Sequence, residues 1–171
     1  HSHLDNFDQQ YFYELNISCP NTSNGKTMSE EPVSLNKLLG ELRTFLQKTI
    51  SIKISPDIAD KTLYNIGEIC HNHENIIINA GNTHFRSVSE LGISKLNFSM
   101  NGGGLSGPTI FNRTLELVKI FSNFDIPIMA TGGISSINHV KELSQSGAVL
   151  FGMATSLVLD PYCIPKINKE L

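Results

Sequence analysis

The chain has 171 residues, 40% hydrophobic and 17% charged, the make-up of a single globular domain over 1–171 with a sizeable core rather than a disordered segment. A net charge of −3 leaves no basic footprint for nucleic acid. No apolar run approaches the roughly 20 residues that a membrane span requires.

In chain order, residues 1–10 are polar and lack the shape of a signal peptide. The chain begins without Met, as a processed chain, a tag remnant or a fragment would. Aromatic and β-branched residues over 11–18 predict a strand that Pro20 stops, because proline cannot donate to a ladder. A polar loop follows over 21–32. Ser34 is placed to cap a helix whose apolar residues Leu35, Leu38, Leu39, Leu42, Phe45 and Leu46 recur at helical spacing. A strand over 50–54 ends before Pro56, and a second helix starts at Asp57 or Asp60 and runs to about 71. A third strand over 75–79 leads into Ala80-Gly81-Asn82-Thr83. The segment 84–108 reads as a long loop broken by Gly102-Gly103-Gly104 and Gly107-Pro108. A helix over 109–123 follows, then a strand over 128–130 ending in Thr131-Gly132-Gly133-Ile134. A helix over 137–146, a strand over 148–152 and a last helix containing 166–171 complete the chain.

Strand and helix thus alternate five times, the pattern of βα units on a parallel sheet. Polar or glycine-rich turns follow the strands, and the glycines cluster late in the chain. A doubly wound sheet concentrates them at its first strand–helix turn, so the expected fold is α/β, a TIM (β/α)8 barrel. Only five of its eight strand–helix units are present. Such a partial barrel leaves two sheet edges open to pairing.

The chemistry concentrates at the tip of the first strand, where Asn16, Cys19 and Asn21 bring two amides and a thiol together. Cys19 is suited to take a proton from carbon or attack a carbonyl; the plainer alternative is a small buried residue before a turn. Three cysteines, Cys19, Cys70 and Cys163, are odd in number and far apart, which suits free thiols in a reducing, cytoplasmic setting. The Asn-x-Ser/Thr triplets at Asn16, Asn21, Asn97 and Asn112 are chance matches in that setting. Cys70-His71-Asn72-His73 fits no common zinc spacing, and no metal is expected. Gly104-Leu105-Ser106-Gly107 does not match the Gly-x-Ser-x-Gly elbow of serine hydrolases. His84, next to Thr83, is placed to lie near a bound substrate, the plainer alternative being a solvated loop residue.

Five motifs in register, Glu14-Leu15-Asn16-Ile17-Ser18-Cys19-Pro20-Asn21, Ile52-Lys53-Ile54-Ser55-Pro56, Asn82-Thr83, Gly103-Gly104-Leu105-Ser106-Gly107 and Gly132-Gly133-Ile134-Ser135, resemble the dihydroorotate dehydrogenase family across 11–171. The resemblance implies an FMN-dependent oxidation of dihydroorotate to orotate in pyrimidine biosynthesis. It implies that Cys19 is the base that removes the C5 proton while hydride passes from C6 to flavin N5. By the same resemblance Asn16, Asn21, Asn82 and Thr83 bind the substrate. Asn16, Lys53, Gly81, Gly107, Gly133, Ala154 and Thr155 contact the cofactor. Gly102 and Gly132 are read as turn glycines and left out. A shifted register would put Asn79 on the substrate in place of Asn82. Cysteine at position 19 and the run 160–166 resemble the NAD-linked, class 1 subtype, which implies an iron–sulfur electron-transfer subunit or a homodimer as partner. The alternative is a non-catalytic half-barrel that binds FMN or a phosphorylated ligand without turnover, and a non-flavin barrel is the more distant option.

Overall fold

A computed structural model describes residues 11–18, 31–94 and 99–171. Five parallel strands form the main sheet: β1 (Tyr13–Asn16), β2 (Ile50–Ile54), β3 (Ile76–Ala80), β6 (Ile128–Thr131) and β7 (Ala148–Gly152), in that spatial order. Between β3 and β6 the chain makes a separate antiparallel pair, β4 (His84–Ser87) with β5 (Gly102–Leu105). The helices are α1 (Pro32–Arg43), α2 (Asp60–His71), α3 (Phe111–Phe121), α4 (Ile137–Gln145), α5 (Thr155–Leu159) and α6 (Cys163–Glu170), with a 3-10 turn at Pro108–Ile110.

The main-sheet strands lie side by side in chain order, without the reversal that defines a doubly wound sheet. Right-handed crossovers then put every connecting helix on one face, and α1, α2, α3 and α4 do pack against one another in sequence. The result is five consecutive units of a (β/α) barrel. Ile50, Ile52 and Ile54 of β2 pair in register with Ile76, Ile78 and Ala80 of β3, and all six are buried. They join Leu35, Leu39, Leu63, Ile66, Leu117 and Phe121 of the helices in one core. Alternation along the strands sends Glu14, Asn16, Ser51, Lys53, Asn79 and Thr131 to the opposite face. A central parallel strand is usually apolar on both faces; the polar face here marks the side that carries chemistry.

Several local details differ from the expectations. The helix α1 starts at Pro32 with Glu31 as its cap residue, and Ser34 instead donates its hydroxyl to the Glu31 carboxylate at 3.2 Å. Proline at the first helical position gives up an amide that had no partner anyway. The long loop 84–108 contains β4 and β5. Its glycines look like loop residues but lie under side chains of the partner strand. A Cβ on Gly102 would stand 2.6 Å from the Arg86 carbonyl oxygen, and one on Gly104 would overlap Thr83. His84 is accordingly no free loop residue; it opens β4, with its side chain 17% exposed beside Asp57. The C-terminal region holds two helices, because α5 precedes α6.

Arg43, in the last turn of α1, closes the α1–β2 connection by donating to the carbonyls of Leu46 (2.9 Å), Lys48 (2.9 Å) and Asn75 (3.0 Å). That contact fixes the start of β3 to the end of α1. At the outer edges β1 and β7 each pair on one side only among the described residues. On β7, Val149 is 62% and Leu150 48% exposed.

Gly81 leaves β3 with φ +145°, and a Cβ there would coincide with the Thr131 carbonyl oxygen of β6. Gly81→Ala is therefore expected to lose roughly 3 kcal/mol or more of stability in urea denaturation. Gly40 sits in α1 with open space around its would-be Cβ. Gly40→Ala should gain about 0.5–1 kcal/mol in the same measurement.

Candidate active site

The polar face of the sheet opens, at the C-terminal ends of the strands, into a cavity of about 200 Å³. Lys53 reaches it from β2, Asn82 and Thr83 from the turn after β3, and Ser106 and Gly107 from the turn after β5. Thr131, Gly132 and Gly133 close it from β6, and Gly152 through Ser156 from β7 and the start of α5. Ligand sites in βα folds lie at this end of the strands because the loops there are free to vary.

The cavity walls are held by short hydrogen bonds between loops. Thr155 donates its hydroxyl to Ser106 Oγ at 3.1 Å, and Ser156 donates to the Ile134 carbonyl at 2.6 Å. Ser136 caps α4 by accepting the His139 amide at 3.3 Å, while His139 Nδ1 accepts the Ser135 amide at 3.2 Å. The His139 ring stacks on Phe111 with centroids 3.9 Å apart. Phe111 in turn lies directly against Gly133, where a Cβ would stand 2.5 Å from the Phe111 nitrogen. With φ +74° this position is closed to other residues by both backbone and space.

Among the described residues no carboxylate lines the cavity, Lys53 supplies a cation, and Ser106, Thr131 and Thr155 supply hydroxyls. The turns at Gly107, Gly132 and Gly133, all at positive φ, bring main chain to the cavity wall. That donor set fits a phosphate ester, which backbone amides approach where no Cβ intervenes. The volume lies below the roughly 300–1,000 Å³ that encloses a drug-sized ligand. It suits a phosphate with its adjoining chain, the remainder of a larger ligand extending over the polar face.

On that face Glu14 Oε2 accepts the Asn79 amide at 2.8 Å and the Ser51 hydroxyl at 3.2 Å. Asn79 is 6% exposed, and its Oδ1 has no hydrogen-bond partner among the described residues. It is held within the strand layer, whereas Asn82 and Thr83 line the cavity. Asn16 accepts the Ser18 amide at 3.3 Å, and Ser18 donates its hydroxyl to the Lys53 carbonyl at 3.2 Å. The end of β1 is thereby tied beside Lys53.

Of the residues expected at the site, Lys53, Asn82, Thr83, Gly107, Gly133, Ala154 and Thr155 come together around the cavity. Asn16 lies next to Lys53 in the sheet but outside the cavity wall. Gly81 packs against β6 rather than lining the cavity. Cys19 and Asn21 lie outside the described residues. Ser106, Thr131, Gly132, Ile134, Gly152, Met153 and Ser156 also line it and are not among the expected site residues. Ser106, Gly132 and Ile134 fall inside the glycine motifs, which are the available signal; Thr131, Gly152, Met153 and Ser156 near strand ends carry none.

Compared with known proteins, the family model for dihydroorotate dehydrogenase matches residues 3–171. The catalytic subunit of dihydroorotate dehydrogenase B (NAD(+)) from Carboxydothermus hydrogenoformans is 28% identical over 167 residues, covering 96% of this chain and 54% of that protein. The dihydroorotate dehydrogenase (quinone) of Christiangramia forsetii is 31% identical over 175 residues, covering 96% and 50% respectively. In fold, the crystal structure of DHODH from Eimeria tenella in complex with ferulenol matches with a TM-score of 0.78 at 20% identity, over 94% of this chain and 49% of that one. The chain spans about half the length of the curated relatives it matches.

Away from the cavity, burial in α2 pushes the Cys70 thiol up to about 12. Cys70 should resist iodoacetamide at pH 8 in the folded chain and react in urea. Its proton is retained in the folded state after the unfolded thiol has lost its own, so folding stability should fall as pH rises from about 9 toward 12. Thiol counting and alkaline urea titrations check both.

Proposed function

The chain belongs to the dihydroorotate dehydrogenase family, and on that premise we propose that its cavity holds FMN beside a site for dihydroorotate that residues 16–21 complete. The supporting observation is the convergence of Lys53 with the glycine turns at 107, 132 and 133 in a cavity that no carboxylate lines among the described residues. Gly107, Gly133, Ala154 and Thr155 would hold the phosphate and ribityl chain. Lys53, with Asn16 beside it in register, would supply a cation to stabilise the charge that a flavin ring gains on reduction.

Bound FMN supplies the acceptor for hydride leaving C6 of dihydroorotate. Cys19, as thiolate, takes the proton from C5. Both C–H bonds break, the C5–C6 double bond of orotate forms, and the proton rests on sulfur. An unperturbed thiol titrates at about 8.5, close enough to neutrality for a general base once its surroundings favour the anion. Asn16, Asn21, Asn82 and Thr83 hold the pyrimidine by hydrogen bonds, and a ring lacking the matching groups would leave them unpaired. Cysteine at 19 and the run 160–166 support the NAD-linked class, with a separate iron–sulfur subunit as electron acceptor and a cytoplasmic location. Among the described residues no helix is long and apolar enough to cross a membrane.

One observation favours a second reading. Among the described residues the cavity is lined from β2 onward and takes nothing from β1. Binding of FMN or another phosphorylated ligand without turnover therefore needs no base.

With FMN added, the protein should show a bound-flavin band near 450 nm (roughly, for oxidised flavin) that bleaches when dihydroorotate is introduced without oxygen. Flavin retention without bleaching supports the second reading, and no retention overturns the flavin proposal and restricts the second reading to another phosphorylated ligand. Cys19→Ser should keep flavin and slow bleaching by about 10²–10⁴-fold near neutral pH; an unchanged rate removes Cys19 from the role of base. Lys53→Ala should weaken FMN binding by about tenfold, measured by flavin fluorescence titration.

A further inference from the structure

The β4–β5 hairpin stands apart from the main sheet, yet the residues at its two roots, Thr83 and Ser106–Gly107, wall the cavity. A lone two-stranded hairpin is marginal in water, and β5 reads Gly-Gly-Gly-Leu, the weakest of strand sequences. Its position must therefore be set by contacts from elsewhere. Asp57, in the turn between β2 and α2, accepts the Phe85 amide with both carboxylate oxygens, at 3.1 and 3.2 Å. Its Oδ1 also lies 3.3 Å from His84 Nε2. That nitrogen is 2.8 Å from Arg86 Nη1 and cannot both accept from Arg86 and donate to Asp57. The Phe85 amide is the contact that holds in either tautomer. Ser55 and Asp57 exchange hydrogen bonds, hydroxyl to carboxylate at 3.3 Å and amide to hydroxyl at 3.2 Å, which aims the carboxylate.

The turn itself is pinned from α3. Arg113 donates Nε to the Pro56 carbonyl at 2.9 Å and Nη2 to the Ile58 carbonyl at 3.0 Å. The same Nη2 meets Asp60 Oδ1 at 2.9 Å, and Nη1 meets Glu116 Oε2 at 2.9 Å. Asp60 and Glu116 are largely exposed, so their charge contributes little. The two carbonyl contacts carry the geometry, since a planar fork reaches both at once. Helix α3 also begins against Gly133, which itself lines the cavity.

We propose that Asp57 and Arg113 are positioning residues that form a strut from α3 through the 55–60 turn to the hairpin, setting Thr83 and Ser106–Gly107 at the distance from Gly132–Gly133 that the flavin phosphate and ring require. The strut acts on the flavin site proposed above, and it is a property of the fold whether or not that ligand is the one bound.

The test is amide hydrogen exchange on the folded chain, with FMN affinity measured in parallel. Asp57 is 40% exposed at a surface turn, so Asp57→Ala should fold. It should speed exchange at 84–87 and 102–105 on the order of tenfold while leaving 76–80 and 128–131 unchanged, as expected for loss of one charge-assisted hydrogen bond. FMN affinity should fall by a similar factor. Asp57→Asn keeps an acceptor oxygen for the Phe85 amide and should restore both to within about threefold. Arg113→Lys, which retains charge but cannot span Pro56 and Ile58, should reproduce the alanine phenotype. Unchanged hairpin exchange in Asp57→Ala overturns the strut, as does equal acceleration throughout the sheet. A loosened hairpin with undiminished FMN affinity overturns its link to the cavity. If the unmodified chain binds no FMN, the flavin site fails on its own account and hairpin exchange alone decides the strut.

Discussion

In β2 the isoleucines at 50, 52 and 54 face the helices while Ser51 and Lys53 face the other way, and the parallel register carries that division into β1, β3 and β6. Each buried isoleucine contributes about 1.5–3 kcal/mol. A slip of one residue would turn all three out and bring Ser51 and Lys53 in. The cost, roughly 5–9 kcal/mol for the isoleucines alone, rivals the whole stability of a typical domain. The position of Lys53 is thus fixed by the apolar residues on either side of it. Packing on one face of the sheet places the chemistry on the other.

The second constraint is close approach. Gly133 lies on the start of α3 and Gly81 on the end of β6. These contacts bring the turns near enough for Ser106 to meet Thr155 and for Ser156 to meet the Ile134 carbonyl. A cation, hydroxyls and glycine turns then converge, with no carboxylate among the described residues to repel an anion. In the dihydroorotate dehydrogenase family setting, that arrangement is what a phosphorylated flavin would use. The polar row Glu14, Ser51 and Asn79 lies along the same face, one strand to the next.

Much of the frame is legible in the sequence, for identifiable reasons. The strands β2, β3, β6 and β7 are short apolar runs ended by glycine or proline, and α2 and α4 show helical spacing. The hairpin is hidden because β5 consists largely of glycine, whose role depends on Phe85 and Thr83 lying across from it. Helix α5 has too few residues to show a period. Most of the cavity is legible only through motifs, since Lys53 between isoleucines or Ala154 before Thr155 carries little meaning alone. Glu14 and Asn79 are 65 residues apart, and their pairing follows from strand order, which no local pattern reveals. Gly132 looks like a turn glycine and serves as one while also forming a wall.

Each main-sheet strand pairs with its predecessor in the chain once the hairpin is set aside. Assembly from the N-terminal side can therefore proceed by accretion, each strand–helix unit docking on the rim left by the last as it emerges from the ribosome. Long-range closure entropy is avoided at every such step. Among the described residues β7 is such a rim, paired on one side only, with Val149 and Leu150 exposed. A surface of that kind favours a matched strand over solvent, so the same growth rule that builds the arc also selects, by shape and register, what is able to cap it.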